Sequence, residues 1–288
     1  MNRDCAAVIP ALNEEATISH VVSVARQQLD RIVVVDDGSD DRTGEVAAKA
    51  GATVLRNSHT AGQGRSITRG LGWAIANGAH HVVILDADGA HDPLRIGNLL
   101  RDHLSSGADL TIGSRFLGST KLPSPKRSAN RFATTLLNRM FGFEVSDAAS
   151  GFRAVSGRVA RLVFARTDFA FAFEMIRCCR LHSLIIQEVP AEAHYNAAEL
   201  HCTNQAELLC LLDFCSSTPN AAAQGAELCV EAAERVRRWQ GFAARIGSAR
   251  FFFHPLRSYN GYAIQEQDGY FDTWVAVDAA ALPLMIDL

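Results

Sequence analysis

The sequence has little that would tie it to a membrane, a metal cluster or a polyanion. No stretch approaches the ~20 apolar residues that span a bilayer, so a crossing helix is not expected. No basic region followed by an apolar stretch opens the chain, and no secretory leader is expected. Cysteine is present as seven residues, an odd number, with no Cys-X-X-Cys spacing. Neither a disulfide framework nor a zinc site follows from that pattern, and the thiols read as those of a reduced, cytoplasmic protein. Positive charge is not in excess. Lys and Arg total 28 against 31 Asp and Glu, a formal net charge of -3, which argues against a general nucleic-acid binder. There is no internal repeat and no long low-complexity segment.

What the chain does have is apolar residues, 48 % of 288, enough for one large α/β domain or a domain with a small appendage. They come in alternating patterns. Residues 6–10 form an apolar run closed by Pro10, and residues 31–35 form a second run, β-branched after Arg31, as expected of a strand buried on both faces. Short strands are expected at 53–55, 81–85 and 109–113. Between them, Asn13 is expected to cap a helix that lines up Ile18, Val21, Val22, Ala25 and Leu29, and helices are expected at 41–50, 64–76 and 92–104. Strand and helix in alternation imply right-handed crossovers and a mostly parallel sheet, whose ligands sit beyond the carboxyl ends of the strands.

Each polar cluster begins where a strand ends. Asp86-Ala87-Asp88 follows residues 82–85 directly. Two carboxylates one residue apart can diverge, one binding a hard divalent cation while the other holds a sugar hydroxyl or a metal-bound water. A cation there would bridge the two phosphates of a nucleotide diphosphate and neutralise charge on the leaving phosphate. Alone, such a triplet is more often a solvated turn; the preceding strand raises its weight. Asp36-Asp37-Gly38-Ser39 ends the second strand. A turn with a helix cap accounts for Ser39 to Asp41 but less well for Asp36 and Asp37, since paired like charges at a buried strand end cost free energy without a ligand. Pro10-Ala11-Leu12-Asn13-Glu14-Glu15 follows the first strand, and acids in a first helical turn are favoured by the helix dipole alone. Ala61-Gly62-Gln63-Gly64-Arg65 opens a helix, where Gly62 and Gly64 permit close backbone approach to a ligand and Arg65 can pair with phosphate.

Taken in order from about Val8 to Pro190, these segments resemble the family 2 glycosyltransferases, and among them the dolichyl- or polyprenyl-phosphate sugar transferases. Gly113-Ser114-Arg115-Phe116, Asp147-Ala148-Ala149-Ser150-Gly151-Phe152-Arg153-Ala154 and Glu188-Val189-Pro190 complete the resemblance. It implies an α/β nucleotide-diphospho-sugar transferase (A-type) fold: a mostly parallel central sheet flanked by helices. It further implies a base and ribose pocket at Pro10, Ala11, Glu14 and Asp37, with donor contacts continuing through Gly64, Arg65 and Ala87. Asp86 and Asp88 would be the metal pair for Mg2+ or Mn2+. Arg115, with Arg127 or Arg131, would face phosphate. Asp147 and the 150–153 turn would lie near the transferred sugar, and Glu174 or Asp147 would be the base for a hydroxyl acceptor. A phosphate acceptor needs none.

The chain also departs from that pattern. Ala90 stands where the polyprenyl-phosphate subgroup has Gln, and Gln63 or Arg65 where it usually has Lys. The basic acceptor-gripping segment is replaced by Tyr195-Asn196-Ala197-Ala198-Glu199-Leu200. His91 and His194 stay open as third metal ligands. A basic amphipathic stretch at 126–141, with Lys126, Arg127, Arg131 and Arg139, leaves a peripheral membrane contact open against an ordinary core face. The expected organisation is a catalytic domain at 1–200 and a small α+β appendage at 201–288, helical over 221–246, with strands at 250–253, 261–265 and 270–277 and a hairpin turn at Asp268-Gly269. The appendage either completes the acceptor cleft or forms a homodimer contact. The expected reaction is transfer, with inversion, from a UDP- or GDP-sugar to a soluble hydroxyl compound or polyprenyl phosphate. A nucleotidyltransferase and a sugar-nucleotide binder without turnover are the rival readings.

Overall fold

A computed structural model describes residues 4–118, 130, 131, 133–135, 137, 138, 141–163, 171–194, 251–255, 261–268, 271–278 and 284–287. The chain divides into two compact units. One comprises residues 1–120 and 150–194, the other 121–149 and 195–288.

The first unit is built on seven strands: β1 (Cys5–Ala11), β2 (Ile32–Asp36), β3 (Thr53–Arg56), β4 (His81–Ile84), β5 (Leu110–Ser114), β6 (Arg153–Ser156) and β7 (Ile186–Pro190), in the order β3-β2-β1-β4-β6-β5-β7. All contacts are parallel except those of β6, which runs antiparallel to both β4 and β5. The sheet is therefore mixed. The sequence pattern anticipates β1 to β5 but not β6, whose Arg-Ala-Val-Ser run lies just past a stretch that reads as a polar turn. Tertiary context makes it a strand: Arg153 is 1 % exposed because Nε donates to the Ser150 carbonyl and the guanidinium to the Ala172 carbonyl.

The helices are α1 (Ile18–Ala25), α2 (Thr43–Lys49), α3 (Gln63–Ala76), α4 (Ile96–Ser106) after a 3-10 turn (Pro93–Arg95), α5 (Gly157–Leu162) and α6 (Phe171–Leu181). All residues of β1 and β2 are buried. Ile18, Val21, Val22 and Ala25 of α1 pack with Ile9, Val34, Val83 and Ile96 in one core. Each such side chain contributes about 1.5–3 kcal/mol on burial. α3 settles onto the sheet through Gly70, where a Cβ would stand 2.4 Å from Val8 Cγ1. That close seat carries the first turn of α3 to the strand ends.

Asn13 does not cap α1. Its φ is +57°, and α1 begins only at Ile18. Its amide donates to Ser39 Oγ and its Oδ1 accepts from the Asp40 amide, so Asn13 ties the loop after β1 to the loop after β2.

In the second unit, the described residues between 130 and 138 are helical, with Ala133 and Leu137 buried. Phe132, Leu136 and the basic residues Lys126, Arg127 and Arg139 lie outside the described residues, as do the segment 195–200 and the expected helix at 221–246. Four strands, β8 (Phe251–Pro255), β9 (Gly261–Asp268), β10 (Phe271–Asp278) and β11 (Leu284–Asp287), form an antiparallel sheet in the order β11-β10-β9-β8. Asp268 pairs with Phe271, while Gly269 lies outside the described residues. Among the described residues, no helix is long and apolar enough to cross a membrane.

Candidate active site

β1 lies between β2 and β4 in the sheet, so the polar segments that follow these three strands are neighbours. They enclose a cavity of about 370 Å³ with Pro10, Ala11, Leu12, Glu14, Asp37, Asp86, Ala87 and Asp88 in its wall, completed by Thr60, Gly62, Gln63 and Ser66 from the segment leading into α3. Seven of the expected donor-site residues thus share one cavity. Gly64 and Arg65 do not line it: Gly64 is buried within α3 and Arg65 points outward from it. Gly62, one of the two glycines expected to permit close approach of a ligand, does line it, whereas Leu12, Thr60, Gln63 and Ser66 were not assigned there. The signal for Gln63 and Ser66 was the glycine-flanked opening of α3.

The two acids after β2 are bonded throughout. Asp36 accepts from the Ser39 amide at 2.9 Å and from the Arg56 guanidinium at 2.6 Å. Asp37 accepts from Asn57 Nδ2, the Ala61 amide and Ser66 Oγ on Oδ1, and from the Gly62 amide on Oδ2, at 2.6 to 3.0 Å. Burial alone would raise the Asp37 pKa. These four donors outweigh it and hold the carboxyl below its usual value. Gly38 is at φ +80°, and a Cβ on it would stand 2.9 Å from the His59 carbonyl carbon, so the 36–39 turn and the 57–62 segment lie back to back. Glu14 is fixed by its amide, which donates to Thr43 Oγ1 at 2.7 Å, and by Thr17 Oγ1, which donates to Glu14 Oε2 at 2.7 Å.

The acids after β4 sit differently. Asp88 Oδ1 accepts from the Ala90 amide at 2.9 Å, and Asp86 Oδ1 accepts from Gln63 Nε2 at 3.0 Å. Both are partly exposed at the cavity wall. This donor set suits a hard cation such as Mg2+ or Mn2+, which takes oxygen ligands and is commonly held by one or two carboxylates with substrate phosphates and water. Among the described residues, no three His, Cys, Asp or Glu side chains converge as a complete metal site.

The candidate third ligands do not join that pair. His91 is buried and stacks on Phe152 with ring centroids 5.4 Å apart, and its backbone bridges to Ala193. His194 is exposed, and its amide donates to the Ala90 carbonyl. Arg115 is buried just beyond β5, and Glu174 is half-buried in the first turn of α6. Asp147 is fully buried and belongs to the second unit; Arg131 belongs there too and is exposed. The 150–153 turn is held by Ser150 Oγ, which donates to the Gly113 carbonyl at 2.6 Å.

A family model described as glycosyl transferase family 2 matches residues 6–164, which include all three strand ends. The chain belongs to glycosyl transferase family 2. As a member of that family it is a glycosyltransferase, with the A-type fold that the resemblance implied. It is 33 % identical to an uncharacterized protein of Methanocaldococcus jannaschii over 195 residues, 65 % of this chain and 80 % of the relative. It is also 33 % identical to a polyprenol monophosphomannose synthase of Mycolicibacterium smegmatis over 158 residues, 51 % of this chain, and spans only 59 % of that synthase's length. Among solved structures it is similar to the glucosyl-3-phosphoglycerate synthase of Mycobacterium tuberculosis in complex with Mg2+ and UDP. The TM-score is 0.58 at 25 % identity, covering 74 % of this chain and 79 % of that one.

Proposed function

We propose that the cavity at the ends of β1, β2 and β4 binds a nucleotide-diphospho-sugar with Mg2+ or Mn2+, and that the chain transfers the sugar to a second substrate with inversion. The observation that carries this reading is that Asp86 and Asp88 line the same cavity as Pro10, Ala11, Glu14 and Asp37. A base and ribose would pack against Pro10 and Ala11, with Glu14 and Asp37 as acceptors for their N–H and O–H groups. The diphosphate then points toward Asp86 and Asp88, which would hold the cation. Bound there, the cation would offset the charge that develops on the departing diphosphate. Arg115 is assigned to the same phosphates.

The acceptor is either polyprenyl phosphate, as the name of the Mycolicibacterium relative suggests, or a soluble hydroxyl compound. A hydroxyl must lose a proton as it attacks, and Asp147 or Glu174 is assigned to take it. A phosphate acceptor is already ionised and leaves both carboxylates without that task. Polyprenyl phosphate would also place the chain at a membrane surface.

The test is a thermal-shift panel of UDP, GDP and their sugars with Mn2+ or with EDTA. At a hundredfold excess over Kd, a ligand specific for the folded state stabilises by about 2.7 kcal/mol, which for a domain of this size is a shift of roughly 5–10 °C. The expected result is such a shift with one base and Mn2+, reduced in EDTA. No shift with any nucleotide in either condition would overturn the reading.

A further inference from the structure

Gln63 opens α3 just after Gly62, whose φ is +98°, and its side chain reaches back to the acid that follows β4. Nε2 donates to Asp86 Oδ1 at 3.0 Å. On the other side of the same carboxylate stands Gly151, where a Cβ would lie 2.0 Å from Asp86 Oδ2, far inside contact distance. Each restraint comes from a segment that is itself anchored. The Gly62 amide is bound by Asp37, and the turn holding Gly151 is tied down by Ser150 Oγ on Gly113 and Arg153 Nε on Ser150. The terminal torsion of an aspartate is broad when unrestrained. Here an amide fixes one oxygen and a bare Cα receives the other.

The chemistry of the restraint matters as much as its shape. An ammonium at residue 63 would also donate to Asp86 but would cancel its charge. A carboxamide orients the oxygen without adding a positive charge beside it. The geometry points to Gln63, backed by the missing side chain of Gly151, as a positioning residue that presents Asp86 to a divalent cation without competing for it. This rests on the reading of the cavity as a cation-dependent nucleotide-diphosphate site.

The experiment is calorimetric titration of UDP and of GDP into the native chain and the Gln63→Lys, Gln63→Ala and Gly151→Ala variants, each with Mn2+ and with EDTA. The readout is the ratio of the two affinities, with the melting temperature as a check on folding. In Gln63→Lys the built-in cation is expected to weaken Mn2+-dependent binding about tenfold and to strengthen binding in EDTA, so that the ratio collapses. Gln63→Ala is expected to weaken the Mn2+ arm by roughly threefold and leave the EDTA arm unchanged, because an oriented hydrogen bond to a charged group is lost. Gly151→Ala should lose most of the Mn2+ arm. A merely structural role would move both arms together. A native ratio retained in Gln63→Lys overturns this inference alone. A native chain that binds neither nucleotide in either arm overturns the proposed function, and the inference with it.

Discussion

Two pairs of acids end two strands that flank β1, and the fold treats them in opposite ways. After β2, Asp36 and Asp37 are 0 % and 3 % exposed and take six donated hydrogen bonds from Ser39, Arg56, Asn57, Ala61, Gly62 and Ser66. After β4, Asp86 and Asp88 remain partly exposed in the cavity wall, steadied by Gln63 and by the Ala90 amide. The first pair holds the loop after β2 together, and Asp37 lines the cavity as it does so. The second lines the same cavity with both acids partly exposed. Composition alone does not tell these two kinds of strand-end acid apart; burial and the donors around Asp37 do.

Substitutions should break that comparison cleanly. Asp88→Ala removes a presented carboxylate. Sugar transfer is expected to fall about 10³-fold, with chemical denaturation unchanged, because no buried donor cluster is orphaned. Equal losses of stability and activity would show that the second pair is scaffold too. Asp37→Ala does the reverse and leaves four donors at a buried position without their acceptor. A loss of about 3 kcal/mol in urea unfolding is expected, with nucleotide affinity falling as the 57–66 loop loosens. A stability change under 1 kcal/mol would mean the loop does not depend on Asp37.

The smallest effect sharpens the comparison by separating it from pH. At the opposite end of β4, His103 Nδ1 meets Thr111 Oγ1 at 2.9 Å and its Nε2 meets His81 Nδ1 at 3.1 Å. Burial first, and the neighbouring His81 second, push the His103 pKa from its ordinary 6.5 down to about 4. The unfolded chain therefore binds a proton that the folded chain refuses. Stability is complete above about pH 6.5 and declines as pH falls toward 4. Asp37, with its pKa lowered, contributes above about pH 4 and loses that contribution only below it. Urea midpoints across pH 4–7 for native chain and His103→Gln check this. The variant should lose most of the slope, and a slope unchanged by the substitution would assign it elsewhere.

Much of this was legible in the residues. Continuous apolar runs marked β1, β2 and β4, because strands covered on both faces need no polar alternation. Acids at the ends of those runs marked the cavity. What stayed illegible was set by contacts distant in sequence. β6 is four residues long, and its buried Arg153 reads as a surface charge until the Ser150 and Ala172 carbonyls are placed beside it. Asn13 carries the signature of a helix cap, yet bonds across to Ser39 and Asp40. Gln63 showed only as a departure from an expected lysine, and its partner Asp86 is 23 positions away.

The reversed direction of β6 sets the path of the chain. Because β5 and β6 are antiparallel neighbours, the chain leaves β5 and re-enters through β6 at one rim of the sheet, the rim where Asp86 and Asp88 follow β4. The Gly113 amide and the Phe152 carbonyl close that excursion at its base. A change in its length leaves the register of both strands untouched.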